Sequence, residues 1–285
     1  MHANIETTIQ QLAIRSLALF SAFFCSTVMP DVLVRGSIEV GVGYLDSEWQ
    51  LVNDESHIGF SASSTLGQES SVFMSYEFEV DAAKGTIETG DTNRLSFVGV
   101  KAPWGSVSIG TQWGAINNTV GTFIDQSEFF ESTSYQGQER IKESFLFTRQ
   151  MGLLLLQSDL QLSSDGRDLD RFSIGALYQI GRVSIGLGWQ DNGASDFSGI
   201  GASLYLGNAI VSGGYNQLDD AAASFGINAK LSNFWISYDD PGEAGAAAVV
   251  TGNYEFNLGE QMNLIVEVSN DQNSTQGIGL LKLGF

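Results

Sequence analysis

The feature that most constrains this chain is a two-residue alternation of apolar and polar side chains, repeated along almost its whole length from residue 35. In 38–44, Ile, Val, Val and Tyr alternate with Glu and glycines, and 172–180 and 262–268 repeat the pattern. A period of two places successive side chains on opposite faces of a β-strand. Each segment has about ten residues, the length that a tilted strand needs to cross the hydrocarbon core of a membrane.

We predict sixteen such strands, joined alternately by short turns and by longer loops rich in Asp, Asn, Gly and Ser. This organisation is typical of a membrane barrel built from hairpins. A soluble β-sandwich or a solenoid is the alternative, but sixteen strands with an apolar outer face would aggregate in water. The fold class is therefore all-β, a closed transmembrane antiparallel β-barrel over residues 31–285. The predicted strands are 35–45, 55–64, 71–81, 93–101, 105–113, 139–149, 152–162, 170–180, 182–190, 196–206, 208–216, 222–231, 232–239, 246–256, 261–269 and 276–285.

The composition restricts the partners and the chemistry of the chain. Its 33 acidic residues exceed its 13 basic residues by 20 formal charges, which excludes nucleic acid as a partner because phosphates are bound by Lys and Arg. A single cysteine excludes a disulfide scaffold and a cysteine-rich metal site. After residue 30 the chain has one histidine, His57, and neither a G-x-S-x-G nor an H-E-x-x-H motif. A barrel enzyme would need such groups, so we predict that the protein is not an enzyme.

Residues 1–30 are predicted to be a signal peptide, cleaved somewhere near residues 26–31. The basis is the apolar stretch 16–29, which is too short to span a bilayer and ends at Pro30. A buried N-terminal helix of a soluble domain and a lipid-modified Cys25 are the alternatives.

One connection, residues 114–138, is far longer than the others and carries its own apolar side chains, among them Phe123, Phe129 and Phe130. A long loop with hydrophobic residues usually packs against something. A barrel of about sixteen strands encloses an aqueous lumen that can hold it. We expect this loop, called the third loop below, to fold into the lumen; an extracellular flap is the alternative.

Several segments resemble the general trimeric porins of Gram-negative outer membranes, and the likeness covers essentially the whole chain after residue 34. VRGSIE at 34–39 and SHIGF at 56–60 are similar to the first two strands of that family. NRLSFVGVK at 93–101 and GSVSIGTQ at 105–112 resemble the pair of strands that leads into the family's constriction loop. The chain also ends in Phe285, as family members do for recognition by the barrel-assembly machinery.

The resemblance implies a water-filled channel in each subunit of a homotrimer, set in outer-membrane lipid and lipopolysaccharide. Ions and small hydrophilic solutes would diffuse through it passively. A solute-specific channel is the alternative.

In these porins, acids on the third loop face a basic cluster across the narrowest point. Carried over by position, the acids are Asp125, Glu128 and Glu131, and the basic side keeps only Arg140 and Lys142. Ser37, His57 and Thr111 stand where the family has basic residues. The two-residue alternation of side chains along a strand, called parity below, places Thr111 on the same face as Val107 and Ile109. Either a bulge therefore intervenes or Gln112 lines the pore. This charge balance predicts a preference for cations.

Acids also gather in two predicted loops. They are Asp46, Glu48, Asp54 and Glu55 in the first loop, and Asp165, Asp168 and Asp170 in the fourth. Carboxylates at this density can bind Ca²⁺ or Mg²⁺, or bridge through these ions to lipopolysaccharide. Hydrated acidic loops are the alternative, so no metal ligand is assigned and no other cofactor is expected.

Overall fold

The computed structural model describes residues 30–87, 94–162, 169–193, 195–219 and 221–285. The predicted signal peptide therefore lies outside the described residues up to position 29, as do Asn93, Asp165 and Asp168.

Strands account for most of the described residues. They are β1 Asp31–Leu45, β2 Glu48–Asn53, β3 His57–Leu66, β4 Ser70–Asp81, β5 Thr86–Ile87, β6 Leu95–Ala102, β7 Gly105–Trp113, β8 Arg140–Met151, β9 Leu154–Leu162, β10 Leu169–Ile180, β11 Val183–Asp191, β12 Asp196–Leu206, β13 Ala209–Leu218, β14 Ser224–Leu231, β15 Phe234–Asp240, β16 Val249–Asn257, β17 Met262–Asn270 and β18 Thr275–Gly284. Two short helical turns, Asn117–Gly121 and Thr122–Ile124, lie in the third loop.

The strands form one closed antiparallel sheet. The last strand pairs with the first, with Ser37 opposite Gly284 and Tyr44 opposite Gly277. β2 and β3 are two parts of one barrel strand, since both pair with β1, whereas β5 makes only a short ladder with the end of β4. The described residues thus contain sixteen barrel strands, and the predicted fold class is confirmed.

The first predicted loop is wrong in its extent. β2 begins at Glu48, directly after the two-residue turn Asp46-Ser47, in which both residues have positive φ (51° and 70°). Trp49 and Leu51 continue the apolar outer face across from Tyr44 and Val42, so the connection between the first two strands is only this turn. Glu48 belongs to β2, and Asp54 and Glu55 lie in the interruption between β2 and β3.

The two faces of the barrel wall differ in chemistry. Large apolar side chains such as Val98, Leu187 and Val266 are exposed on the outer face. Small or polar side chains such as Ser144 and Asn216 are buried on the inner face. Charges on a lipid-facing surface at mid-depth cost about 2–4 kcal/mol for Arg or Lys, which explains why polar residues occupy the inner face. No helix in the described ranges is long and apolar enough to cross a membrane.

Candidate pore constriction

The two helical turns of the third loop, residues 117–124 and called the loop helix below, lie against the inner faces of β10 to β14. Val120 and Ile124 are fully buried beside Phe197 of β12. At the C-terminal end, the side-chain amide of Asn228 donates hydrogen bonds to the carbonyl oxygens of Phe123 (3.0 Å) and Ile124 (2.9 Å). Carbonyls at a helix end have no partner within the helix, so Asn228 satisfies two of them from the wall.

Glycines on the inner face make room for the loop helix. A Cβ atom at Gly186 would lie 1.6 Å from the carbonyl oxygen of Thr119, and one at Gly201 would lie 2.5 Å from the ring of Phe123. Only a residue without a side chain allows backbone and wall to approach this closely. We call this set the glycine socket: Gly175, Gly186, Gly188, Gly199, Gly201, Gly214 and Gly226.

Buried acids of the wall hold the two ends of the loop. At the start, the N–H of Ala115 donates to the carboxylate of Asp159 (2.6 Å), which also accepts from Arg171 (3.1 Å). Arg171 also donates to Gln138 at the other end of the loop. On the returning limb, the hydroxyl of Ser134 donates to Asp239 (2.5 Å).

The tip of the loop is held against β17 and β18. The fully buried carboxylate of Glu267 accepts three backbone N–H groups, from Glu128 (3.1 Å), Phe129 (3.2 Å) and Phe130 (2.8 Å). The two phenylalanines pack on a cluster that includes Leu280. The ammonium group of Lys282 in β18 contacts Glu128 and, at 3.2 Å, Glu39 of β1. These contacts hold the tip of the loop against this part of the wall.

Beside the loop, a cavity of about 390 Å³ remains between the loop and the interruption of the β2–β3 strand. Trp113 and Asn117 are among its lining residues, and the guanidinium of Arg140 lies 5.4 Å from the centre of the Trp113 ring. Six carboxylic acids line it: Asp54, Glu55, Asp125, Glu128, Glu131 and Glu139. Low-dielectric walls focus the field of such charges into the space between them.

The Asp125 carboxyl has an altered acidity. Burial raises its pKa from 3.8 to about 7, and the neighbouring Glu139 and Glu131 add to the rise. The backbone N–H of Ser132, 3.2 Å from the carboxylate, opposes it. Asp125 is therefore only partly charged near neutral pH.

The structure brings the three predicted acids together, since Asp125, Glu128 and Glu131 line one cavity. The predicted basic side is dispersed. Arg140 stacks on Trp113, and Lys142 is exposed in a bulge of β8. Neither belongs to the cavity lining in the described part of the chain.

The other four predicted residues also lie off the cavity lining within the described ranges. Ser37 is buried and donates to Glu39 (2.7 Å), and His57 Nδ1 lies 2.8 Å from the carbonyl oxygen of Glu55. Gln112 is buried on the inner face, where its side chain bonds that of Ser108 at 2.5 Å. Thr111, one residue earlier, lies on the opposite face of β7, and the bulge is in β8 opposite it.

Sequence reasoning missed several residues at this site. The sequence predicts Asp54 and Glu55 in a loop and Glu139 only as the start of a strand. Lys282 in β18 and Glu267 in β17 occupy positions that alternate with the outward-facing apolar residues, so the sequence predicts that both side chains point inward. Parity does not show that the tip of the third loop reaches them, because that contact joins residues about 140 positions apart.

The sequence matches the model of a family described as Gram-negative porin over residues 13–279. The chain belongs to this family. It is therefore a channel protein of the Gram-negative outer membrane, and the predicted resemblance and localisation are confirmed. No curated protein sequence matches the chain.

Solved structures share the fold at low identity. An anion-selective porin from Comamonas acidovorans is 16% identical, with 90% of this chain and 100% of that one covered and a TM-score of 0.73. OmpT of Vibrio cholerae, in a structure described as a trimer form, is 12% identical over 90% and 99% of the two chains, with a TM-score of 0.72. Salmonella typhi OmpF in complex with daunomycin is 13% identical over 89% and 97%, with a TM-score of 0.69.

Proposed function

We propose that this porin is a non-enzymatic diffusion channel for ions and small hydrophilic solutes, with a preference for cations. The observation that carries the preference is the charge of the cavity beside the third loop, which six carboxylic acids line. Three cations lie beside them: Arg94 is paired with Glu55, Lys282 is paired with Glu128 and Glu39, and Arg140 stacks on Trp113. A mobile cation entering the cavity therefore meets an excess of negative charge, which lowers its free energy relative to that of an anion.

The fold leaves the sign of the preference open, because the Comamonas acidovorans porin is described as anion-selective and has the same fold. Selectivity depends on the side chains at the narrowest point. Among the described residues, no ion pair neutralises Glu131 of the third loop or Glu139 at the start of the next strand, so both add negative charge to the cavity.

The reversal potential of the refolded protein in a planar bilayer with a KCl gradient tests the proposal. We expect the sign of a cation-preferring channel. Replacing Glu131→Gln together with Glu139→Gln should move the potential toward zero. The matched control is Glu69→Gln together with Glu260→Gln, which removes the same two charges from exposed turns, one between β3 and β4 and one between β16 and β17. Chloride preference in the unaltered channel would refute the cation proposal.

The assembly is proposed by analogy. We propose a homotrimer surrounded by lipid and lipopolysaccharide, as the trimer form of the Vibrio cholerae protein suggests. Cleavage of a signal peptide near residues 26–31 and recognition of Phe285 by the barrel-assembly machinery stay predictions. The described residues contain no group of three or more His, Cys, Asp or Glu arranged to hold a metal ion, and we assign none.

A further inference from the structure

We propose that Glu55 on the barrel wall is a residue that determines the charge preference of this channel, and that Arg94 is buried behind it. The inference deepens the proposed function and rests on it. Asp125, Glu128 and Glu131 all lie on the third loop, whereas Glu55 lies on the wall where the family resemblance implies a basic side.

The backbone at Glu55 has a conformation that redirects the side chain. β2 and β3 are interrupted at residues 54–56, where the N–H of Asp54 and the hydroxyl of Ser56 both donate to the carbonyl oxygen of Glu39 (3.1 Å each). The Ser56 hydroxyl also accepts from the N–H of Glu39 (2.8 Å). Glu55, between them, has a φ of +39°, a value that residues other than glycine rarely adopt. Interruptions of this kind redirect a side chain, and strained backbone is concentrated at functional sites.

The Glu55–Arg94 ion pair is oriented with its negative end toward the cavity. The two charged groups are 3.2 Å apart, but the Glu55 side chain is 51% exposed and that of Arg94 only 7%. Arg94 also lies near Glu77 (3.9 Å), but Glu77 is bound by Arg35 (2.7 Å). Glu55 is therefore the carboxylate that neutralises the Arg94 guanidinium, and it does so from the side of the cavity. An ion in the cavity is therefore closer to the carboxylate than to the guanidinium, and the nearer charge dominates.

Two of the three loop acids are less available to an ion than the family resemblance implies. Glu128 is bound to Lys282, and Asp125 accepts the N–H of Ser132 in a partly buried position. Glu55 lines the same cavity from the interruption between β2 and β3, on the side opposite the third loop, and its side chain is exposed. The wall therefore supplies negative charge at the position where a basic group would favour anions.

The test compares Glu55→Gln, Glu55→Asp and the control Glu260→Gln by reversal potential in a KCl gradient, with open-channel conductance showing that each variant has folded. Glu55→Gln removes the exposed carboxylate and deprives the Arg94 guanidinium of the charged partner 3.2 Å away. A unit charge at about 7 Å in water changes the local concentration of a monovalent ion about threefold, and it does so in opposite directions for potassium and chloride. The ratio of potassium to chloride permeability should therefore fall by at least about threefold. Glu55→Asp should keep most of the ratio, because it keeps the charge.

The outcomes separate this inference from the proposed function. If the unaltered channel prefers cations but Glu55→Gln behaves like Glu260→Gln, the inference is wrong and the proposed function stands. If the unaltered channel does not prefer cations but Glu55→Gln still moves the ratio toward chloride by threefold, the proposed function is wrong and the role of Glu55 stands. If Glu55→Asp loses as much as Glu55→Gln, the residue acts through packing rather than charge, which also overturns the inference.

Discussion

Single buried carboxylates fix the position of the third loop. Glu267 accepts three successive backbone N–H groups at the loop tip, and Asp159 accepts one at the start. Hydrogen bonds to a charged acceptor contribute about 1.5–3 kcal/mol each, more than bonds between neutral groups. Because these acceptors belong to the wall, the loop has few ways to move as a whole. The charges that face the cavity are thus held at fixed positions.

The Asp125 carboxyl should make the charge preference depend on pH near neutrality. Its pKa is raised from 3.8 to about 7, chiefly by burial, so the group loses its charge as the pH falls through that value. We expect the cation preference to weaken between about pH 8 and about pH 6, a range in which ordinary carboxyl groups do not titrate. Reversal potentials measured across this range, for the unaltered chain and for Asp125→Asn, check the prediction.

The Asp125→Asn channel should show a flatter profile, with a preference close to that of the unaltered channel at low pH. The stability of the folded protein should change with pH in the direction opposite to the cation preference, because it should fall as the pH rises. Since the folded protein opposes ionisation, the contribution of Asp125 to stability is highest below its ordinary pKa and falls as the pH rises to about 7. The Asn variant should therefore gain stability relative to the unaltered chain at pH 8. Identical pH profiles for the two channels would contradict the assignment.

At the scale of elements, the contact between the loop helix and the glycine socket sets the free cross-section of the lumen. Gly186→Ala places a Cβ atom 1.6 Å from the backbone oxygen of Thr119, and a backbone atom cannot avoid this clash by changing a side-chain rotamer. We expect the loop helix to move off the wall into the lumen, lowering single-channel conductance and destabilising the fold by about 1–3 kcal/mol. Gly279→Ala is the control, because a Cβ atom there meets no atom within 4 Å. Equal conductance in the two variants would show that the loop helix does not rest on Gly186.

The elements also show what the sequence can reveal. The alternation predicts the sixteen barrel strands, because exposure to lipid on one face is a strict local constraint. It misplaces the start of the second strand, since charged residues near Trp49 resemble a loop when their strand partners are unknown. Thr111 and Gln112 illustrate the same limit. Parity predicts that their side chains lie on opposite faces of the strand, but it does not determine which of the two faces the lumen next to a bulge. In the sequence, the residues of the glycine socket are only scattered glycines. Their role cannot be predicted from the sequence, because it depends on contacts with a loop that lies far away along the chain.

The charge of the whole molecule acts on ions over longer distances than the cavity does. The chain has a formal charge of −20, and acids such as Asp46 and Glu243 are exposed at the ends of barrel strands. These remote charges attract cations toward the channel entrance, but their reach is limited by salt. The screening length is about 10 Å at 0.1 M and about 3 Å at 1 M. The cavity carboxylates line the space that an ion enters, so screening by salt weakens them less.

The salt dependence of selectivity therefore separates the two contributions. Between 0.1 M and 1 M KCl at a constant gradient ratio, we expect the cation preference to decline as the outer charges are screened, and then to persist at 1 M. The persistent part should depend on the cavity and fall in the Glu131→Gln, Glu139→Gln double variant. A preference that vanishes completely at 1 M in the unaltered channel would place its source on the outer surface. The carboxylates beside the third loop would then be too screened by water and neighbouring cations to select ions.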